Sequence, residues 1–475
     1  MKHTFNHRDC QGQTTLQLIL PLVLLLFVLV SFAVVIPSLS PVKAVALAGG
    51  VVVFVLSFVS TEIALYILIF SMLLSPEFIV GMAGTSTGRG VTLRMDDFLL
   101  VVIGFSWLAR MAINKELGLF LKTPLNKPIG FYLTLCLVST LLGSIFGRVD
   151  LKTGFFYILK YFEYVIIFFM VSNHLRHRKQ LRNYVWAMLL TCAVVSVIGM
   201  VNVPAGERVS APFEGEVGEP NTFGGYLVFM ICICAGLYLA TTSFRNQLLC
   251  AFLILLFSVP LFYTQSRSSY LAAIPAVLSF IWLSKKRYWV LPVILLIGLL
   301  LPYIAPHPAK ERVAYTFTQG RDRKDVVSIA GVKLDTSTSA RLISWQEAIE
   351  DLKEHPILGY GVTGYKFVDA QYVRVAAEIG LVGLMVFLFL MATIFRESLR
   401  VQREAKDPFN RGLAIGFVAG FIGLLFHAIG ANTFIIVRIM EPFWFVAAMV
   451  MAIPSLESVR EEAEVPAVMT TQTIH

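Results

Sequence analysis

Long apolar runs separated by short polar turns dominate this chain. Runs of about 20 residues match the hydrocarbon thickness of a bilayer. About fourteen such runs can be drawn, near 16–37, 43–60, 62–80, 97–113, 128–146, 155–172, 184–202, 222–240, 248–264, 268–284, 289–306, 372–394, 412–430 and 437–454. The pattern predicts an all-α fold, a polytopic membrane helix bundle of about 12–14 transmembrane helices. The first run is long for a signal peptide and further spans follow it, so we expect it to remain as the first helix.

The composition agrees with this class. Hydrophobic residues make up 57% of the 475 residues and charged residues only 15%, against about 25% charged in soluble domains. The mean hydropathy is +0.75. The net charge of +9 is explained by basic cytoplasmic loops, so we expect membrane lipids and no nucleic acid as partners. All cysteines but Cys10 fall within or beside apolar runs, which indicates neither a disulfide framework nor a metal-ligand spacing.

The basic loops predict the orientation. Lys and Arg cluster in 115–127, 174–182, 285–287 and 396–411, which fall on one side together with both termini. The positive-inside rule makes that side cytoplasmic in a multi-pass protein of the bacterial inner membrane. The predicted divisions of this single integrated membrane domain are an N-terminal bundle of about eleven spans (1–306), a large, partly helical periplasmic loop (307–371), C-terminal transmembrane helices (372–454) and a cytoplasmic tail (455–475).

One polar, Gly-punctuated stretch at residues 336–383 interrupts the apolar pattern on the outer side. It begins near Arg341, passes through a short amphipathic helix that includes Trp345, and reaches Asp369 just before the next span. A charged loop in so apolar a chain predicts a lid and half of an active site.

Five motifs on the outer side follow one another in a fixed order. They are Arg208 with Pro220-Asn221 before a span, Ser266-Arg267 opening a later span, Arg341 before Trp345, Gly359-Tyr360-Gly361, and Asp369 eleven positions before Gly380-Leu-Val-Gly383. Together they resemble the O-antigen ligase and O-antigen polymerase superfamily, which includes exopolysaccharide polymerases and pilin O-oligosaccharyltransferases. In the ligases the position of Asp369 is typically His, so this residue favours a relative that polymerises exopolysaccharide.

The resemblance implies a polyprenyl-pyrophosphate sugar donor, and arginine suits its phosphates because the planar guanidinium binds oxygens bidentately and stays charged. Arg208, Arg267 and Arg341 are therefore predicted to cradle the pyrophosphate and stabilise it as a leaving group. The alternative for each is an interfacial anchor facing lipid headgroups. Asp369 is predicted to be the general base for the acceptor hydroxyl, or else the N-cap of the following span. His427 is a rival base, or a satisfied histidine of the bundle interior.

Ionisable residues inside spans are functional candidates by default. Three pairs lie at helical spacing, Lys160 with Glu163, Arg374 with Glu378 and Arg438 with Glu441. Each pair can simply neutralise itself across a turn, and Lys160 could instead reach the pyrophosphate from below. Asp96-Asp97 resembles an acidic metal site, but an N-cap is favoured there, and neither a metal nor another cofactor is predicted.

The predicted function is that of a metal-independent glycosyltransferase, inverting by family resemblance. It would move glycan from the lipid carrier to a sugar hydroxyl on a second lipid-linked repeat unit, lengthening an exopolysaccharide or O-antigen. Ligation of finished glycan to lipid A-core or protein is the alternative within the class, and a flippase for the lipid-linked unit is the alternative outside it. A chain-length regulator and a flippase are candidate partners.

Overall fold

A computed structural model describes residues 41–80, 91–113, 122–201, 203, 208–213, 218–318, 327–329, 332–333 and 335–471. Within these ranges the chain is almost entirely helical. The α-helices are α1 Pro41–Val59, α2 Thr61–Leu74, α3 Met95–Ile113, α4 Asn126–Ile145, α5 Leu151–His174, α6 Arg178–Val201, α7 Pro220–Ala240, α8 Phe244–Tyr263, α9 Arg267–Leu283, α10 Arg287–Ile304, α11 His307–Thr318, α12 Thr336–Asp351, α13 Gln371–Glu404, α14 Pro408–His427 and α15 Val437–Thr471.

Two small antiparallel hairpins accompany the helices. Strand β1 (Glu77–Val80) pairs with β2 (Val91–Arg94) so that Glu77 faces Arg94, and β3 (Ser328–Ile329) pairs with β4 (Val332–Lys333). A short 3-10 helix at Thr433–Ile435 precedes α15.

The predicted all-α membrane bundle is confirmed. Every predicted span from 43–60 onward falls on a helix, but in the span predicted at 62–80 the helix ends at Leu74 and Glu77–Val80 form β1. Nine helices of the described part are long and apolar enough to cross a membrane. The predicted span 16–37 lies outside the described residues. At the other end, α15 runs on to Thr471, past the predicted span end at 454. Its Glu- and Ala-containing extension has the composition of a good helix former.

The chain divides into two compact units, Met1–Leu68 with Asp97–Leu121, and Ile69–Asp96 with Lys122–His475. In the described part of the first unit, α3 lies against α1. The Ser106 hydroxyl donates to the Phe54 carbonyl at 3.2 Å, and Arg110 donates to the Val59 carbonyl at 3.0 Å. Arg110 therefore satisfies a carbonyl at the C-terminus of α1, where intrahelical donors run out.

The core of the second unit is built by α7, α14, α15 and α9. Helices α7 and α14 approach so closely that a Cβ on Gly236 would lie 2.3 Å from the Gly412 carbonyl oxygen. Small residues allow this approach, which supplies the van der Waals packing that drives helix association in lipid. Helix α10 is hardly buried and stands at the margin of this unit.

The two ends of this bundle differ in chemistry. One end, here called the basic end, holds the turns 175–177, 284–286 and 405–407, where Asp407 pairs with Arg182 at 3.0 Å. The opposite end, here called the site end, holds 146–150, 208–213, 264–266 and 428–436. These turns meet there, for example where the Val209 amide donates to the Tyr263 carbonyl at 3.0 Å. This grouping of turns matches the predicted alternation of loops.

Helix α13 is broken at Gly380, and the break determines what covers the site end. Gly380 has φ +72°, and a Cβ there would lie 2.1 Å from the Ile357 carbonyl oxygen. Only glycine takes this conformation without strain while backbone approaches so closely. The segment 356–364 docks against the break, with the Gly361 amide donating to the Glu378 carbonyl at 2.7 Å.

Candidate active site

Arg208 begins the short segment 208–213 that follows α6, in which Val209 and Ala211 are buried. Its Nε donates to the Thr264 carbonyl at 3.1 Å, and its Nη2 donates to the Gln265 carbonyl at 3.4 Å. Both acceptors lie in the turn between α8 and α9. Arg208 is thus held against the turn that precedes Arg267.

Arg267 is the first residue of α9 and is already paired. Its Nη1 donates to Asp335 Oδ2 at 2.7 Å and to Thr316 Oγ1 at 2.9 Å. Asp335 is buried and also caps α12, since its Oδ1 accepts from the Thr338 amide at 3.3 Å. Burial alone would raise the pKa of Asp335, but the hydrogen bonds from Thr338 and Arg267 outweigh it and lower that pKa.

Arg341 and Asp369 form an ion pair. Arg341 donates from Nε at 2.9 Å and from Nη2 at 2.6 Å, both times to Asp369 Oδ2. The two side chains are 23% and 26% exposed, so the pair stays accessible from outside. Helix α13 begins only after Ala370, which makes no side-chain cap. The N-cap alternative for Asp369 is therefore wrong, because its carboxylate is occupied by Arg341 instead.

A fourth guanidinium, that of Arg312 on α11, joins these three. The pKa of Arg208 is lowered by burial first and then by the positive charge of Arg312, with Arg267 and Arg341 adding smaller contributions. Four arginines thus lie close enough to influence one another, and we call Arg208, Arg267, Arg312 and Arg341 the arginine cluster. Sequence reasoning missed Arg312 because α11 shows no family motif.

His427 lies behind the arginine cluster in a buried chain of polar groups. Its Nε2 is 3.3 Å from Ser269 Oγ and its Nδ1 is 2.8 Å from Thr433 Oγ1. The chain continues through the Ser266 hydroxyl, which donates to Asn221 Oδ1 at 2.7 Å. His427 is fully buried, with both ring nitrogens engaged, which is the geometry of the satisfied interior histidine.

Arg374 and Glu378 form a buried pair that supports the segment 356–364. Arg374 Nε donates to Glu378 Oε1 at 3.1 Å, and the same oxygen accepts from the Thr363 amide at 3.2 Å. The Arg374 guanidinium also lies 5.7 Å from the centre of the Tyr157 ring. The pair neutralises itself, as one alternative expects, and it also fixes the backbone just before Asp369.

Tyr360 and Trp345 join the same segment to α12. The Tyr360 hydroxyl lies within hydrogen-bonding distance of two acceptors, the Asp351 carbonyl at 3.0 Å and Glu354 Oε2 at 2.9 Å. Burial, then the hydrogen bond to Glu354, raises the pKa of Tyr360 to about 12. Trp345 packs on a small apolar core formed by Ala348, Tyr365, Val368, Ala370 and Ala377. Both aromatic residues thus hold Arg341 and Asp369 in register.

Two further predicted binding residues lie away from the cluster. Lys160 is nine residues into α5, roughly 14 Å along the helix from the site end. Arg438 is fully buried at the start of α15 and donates to the carbonyls of Pro212 and Phe213 at 3.0 and 3.1 Å. It therefore holds the segment that carries Arg208, and it also donates to the Leu73 and Ser75 carbonyls at 3.2 and 3.3 Å.

Acidic residues elsewhere do not gather around a metal position. Across the described ranges, no three His, Cys, Asp or Glu residues lie together as metal ligands would. Asp96 pairs with Arg94 at 2.5 Å, and it lies inside the first turn of α3 rather than at its N-cap. The expectation of an N-cap at Asp96-Asp97 is therefore wrong by two or three residues, since the helix already begins at Met95.

The family model described as O-antigen ligase matches residues 250–388, from within α8 to the first half of α13. The match contains Arg267, Arg312, Arg341 and Asp369. It confirms, over this segment, the resemblance drawn from the motifs, and it supports glycosyl transfer of the O-antigen ligase and polymerase type with lipid-linked glycans in a membrane. No curated protein matches the chain significantly.

Proposed function

We propose that this protein polymerises polyprenyl-pyrophosphate-linked oligosaccharide repeat units into exopolysaccharide or O-antigen, on the outer face of the bacterial inner membrane. The observation that carries the proposal is the arginine cluster at one end of a membrane bundle, in which four arginines act electrostatically on one another and two of them, Arg267 and Arg341, are paired with Asp335 and Asp369. Such an excess of fixed positive charge at a helix-bundle end suits a diphosphate anchored in the bilayer by its lipid.

The cluster would bind the donor and stabilise the leaving group. As the bond between the anomeric carbon and the diphosphate oxygen breaks, negative charge grows on the diphosphate. Preorganised guanidinium groups stabilise that charge without reorganisation. They would take the part that a divalent metal takes in other enzymes, so the proposed reaction is metal-independent and uses no cofactor.

Asp369 would act as the general base. Both hydrogen bonds from Arg341 end on its Oδ2, so Oδ1 is the oxygen that Arg341 leaves available. Oδ1 would accept the proton of an acceptor sugar hydroxyl. The hydroxyl oxygen of the acceptor would attack the anomeric carbon from the side opposite the diphosphate, and this inverts the anomeric centre. The products would be the lengthened glycan and the polyprenyl diphosphate.

Ligation and transport are the competing functions. Asp369, where ligases typically have His, favours an acceptor on a second lipid-linked unit over lipid A-core or protein. A flippase would be expected to carry its charges along the middle of the bundle, whereas the four clustered arginines lie at helix ends or in the segments between spans. A chain-length regulator and a flippase are proposed partners of the polymerase.

Purified protein in lipid nanodiscs, given lipid-linked repeat units, tests the proposal. We expect a polymer ladder and released polyprenyl diphosphate. Loss of one contact to the leaving group should cost about 2–4 kcal/mol of transition-state stabilisation, so Arg208→Ala and Arg341→Ala should each abolish the ladder. Arg245→Ala, an exposed arginine of the basic end, is the matched control.

Other outcomes would separate the alternatives. Glycan that appears only on added lipid A-core would identify a ligase. Donor that crosses a bilayer with no glycosyl transfer would identify a transporter. A normal ladder from either Ala variant, at equal protein level, would remove that arginine from the donor site.

A further inference from the structure

Helix α11 turns one stripe of residues towards the site end. Ala309 is buried, Arg312 and Thr316 are half-buried, and the intervening positions 310, 311, 313, 314 and 315 are exposed. The spacing of three and four residues places the stripe on one helical face. Thr316 accepts a hydrogen bond from Arg267 at 2.9 Å. The face of α11 that carries Arg312 is therefore turned towards Arg267.

Within the described part of the chain, the Arg312 guanidinium is not neutralised by an ion pair. Among the described residues, none forms a hydrogen bond or an ion pair with it, and its Nε is buried without an acceptor. It lies 5.9 Å from the centre of the Tyr315 ring of its own helix. Burial, then the charge of Arg267, lowers the pKa of Arg312, while Asp335 acts in the opposite direction. A half-buried cation among like charges is unfavourable unless something anionic pairs with it.

The other three arginines differ in what balances them. Arg267 is paired with Asp335, and Arg341 is paired with Asp369. Within the described ranges, Arg208 donates only to backbone carbonyls. Among the described residues, two of the four positive charges are thus cancelled by ion pairs, and the two without an ion pair are on Arg208 and Arg312.

We infer that Arg312 is a ligand-binding residue and that Arg208 and Arg312 together neutralise the diphosphate of the lipid-linked ligand. A diphosphate esterified at both ends carries two negative charges, which equals the charge left over in the cluster. Arg267 and Arg341 keep their ion pairs while they add to the field of the cluster: Arg267 joins α9 to α11 and α12, and Arg341 orients Asp369. This assignment rests on the proposed function and adds to it a residue outside the family motifs.

Binding of geranylgeranyl diphosphate to the full-length protein in zwitterionic nanodiscs tests the inference, with the dissociation constant measured by calorimetry. A hydrogen bond to a charged group contributes about 1.5–3 kcal/mol, so Arg312→Gln should weaken binding about tenfold to a hundredfold. Lys310→Gln removes the same charge from an exposed position on the same helix, and it should leave the dissociation constant within about twofold. Arg312→Lys should lie between wild type and Arg312→Gln.

The melting temperature without ligand separates binding from folding. If Arg312 has no anionic partner until the ligand binds, removing its charge relieves the repulsion between Arg312 and the other arginines of the cluster. The Arg312→Gln variant should then be at least as stable as the wild type. Equal diphosphate binding by Arg312→Gln and wild type, or a marked loss of stability in Arg312→Gln, would overturn the inference alone. Absence of diphosphate binding by the wild-type protein would overturn the proposed function with it.

Discussion

Replacing Asp369 by Asn separates a catalytic base from a structural carboxylate. The amide keeps the shape of the side chain and an oxygen that can still accept from Arg341, but it loses the negative charge and the basicity. If Asp369 takes the acceptor proton, turnover should fall by about 10²–10⁴-fold, which corresponds to about 3–5 kcal/mol of activation free energy.

The structure predicts that this loss is confined to turnover. The Arg341–Asp369 pair is about a quarter exposed on each side, and such pairs contribute roughly 0–1 kcal/mol to stability. The melting temperature should therefore change little. Since the Asn variant removes one of the two carboxylates facing the arginine cluster, the dissociation constant for the lipid diphosphate should stay the same or fall.

The assay is polymer formation by purified enzyme with lipid-linked repeat units, alongside diphosphate binding. Glu347→Gln is the matched control, because Glu347 is also an ion-paired carboxylate of this region, bound to Lys366 and half exposed. Asp369→His should retain partial activity if the ligase-like residue can take the proton. A fully active Asn variant would refute the base assignment and move attention to His427.

Two further predictions concern the framework of the site. Arg438→Gln should both lower the melting temperature and weaken diphosphate binding. The carbonyls of Pro212 and Phe213 would lose their donor, so the segment that carries Arg208 would be held less firmly. A variant as stable as the wild type, with the same dissociation constant, would contradict this positioning role. Positions 353 and 285 are both exposed. In intact cells a thiol reagent should label the Lys353→Cys variant, and it should label the Lys285→Cys variant only after the membrane is permeabilised. The reverse pattern would show that the proposed orientation is inverted.

The spans could be predicted because their length and apolarity follow from the bilayer alone. The convergence of Arg208, Arg267 and Arg341 could be predicted only from motif order, since they are far apart in the chain. Arg312 could not be predicted, because the sequence of the polar helix α11 does not show which of its faces is buried. The contacts of Thr316 and the burial of Ala309 identify that face. The choice between base and cap at Asp369 depended on where α13 begins, a boundary that sequence patterns place only within a few residues.

The break at Gly380 explains why a glycine follows Asp369 at a distance of eleven residues. Apolar residues continue through Gly380 with helical spacing, so sequence periodicity alone predicts an unbroken helix there. The break leaves the Ala377 and Glu378 carbonyls free to accept from the Tyr360 and Gly361 amides, at 3.0 and 2.7 Å. Those bonds, with the Glu378 side chain on the Thr363 amide, fix the backbone a few residues before Asp369 to the bundle itself. Gly380 and Asp369 are therefore structurally coupled, because the helix break at Gly380 positions the proposed base Asp369 beside the arginine cluster.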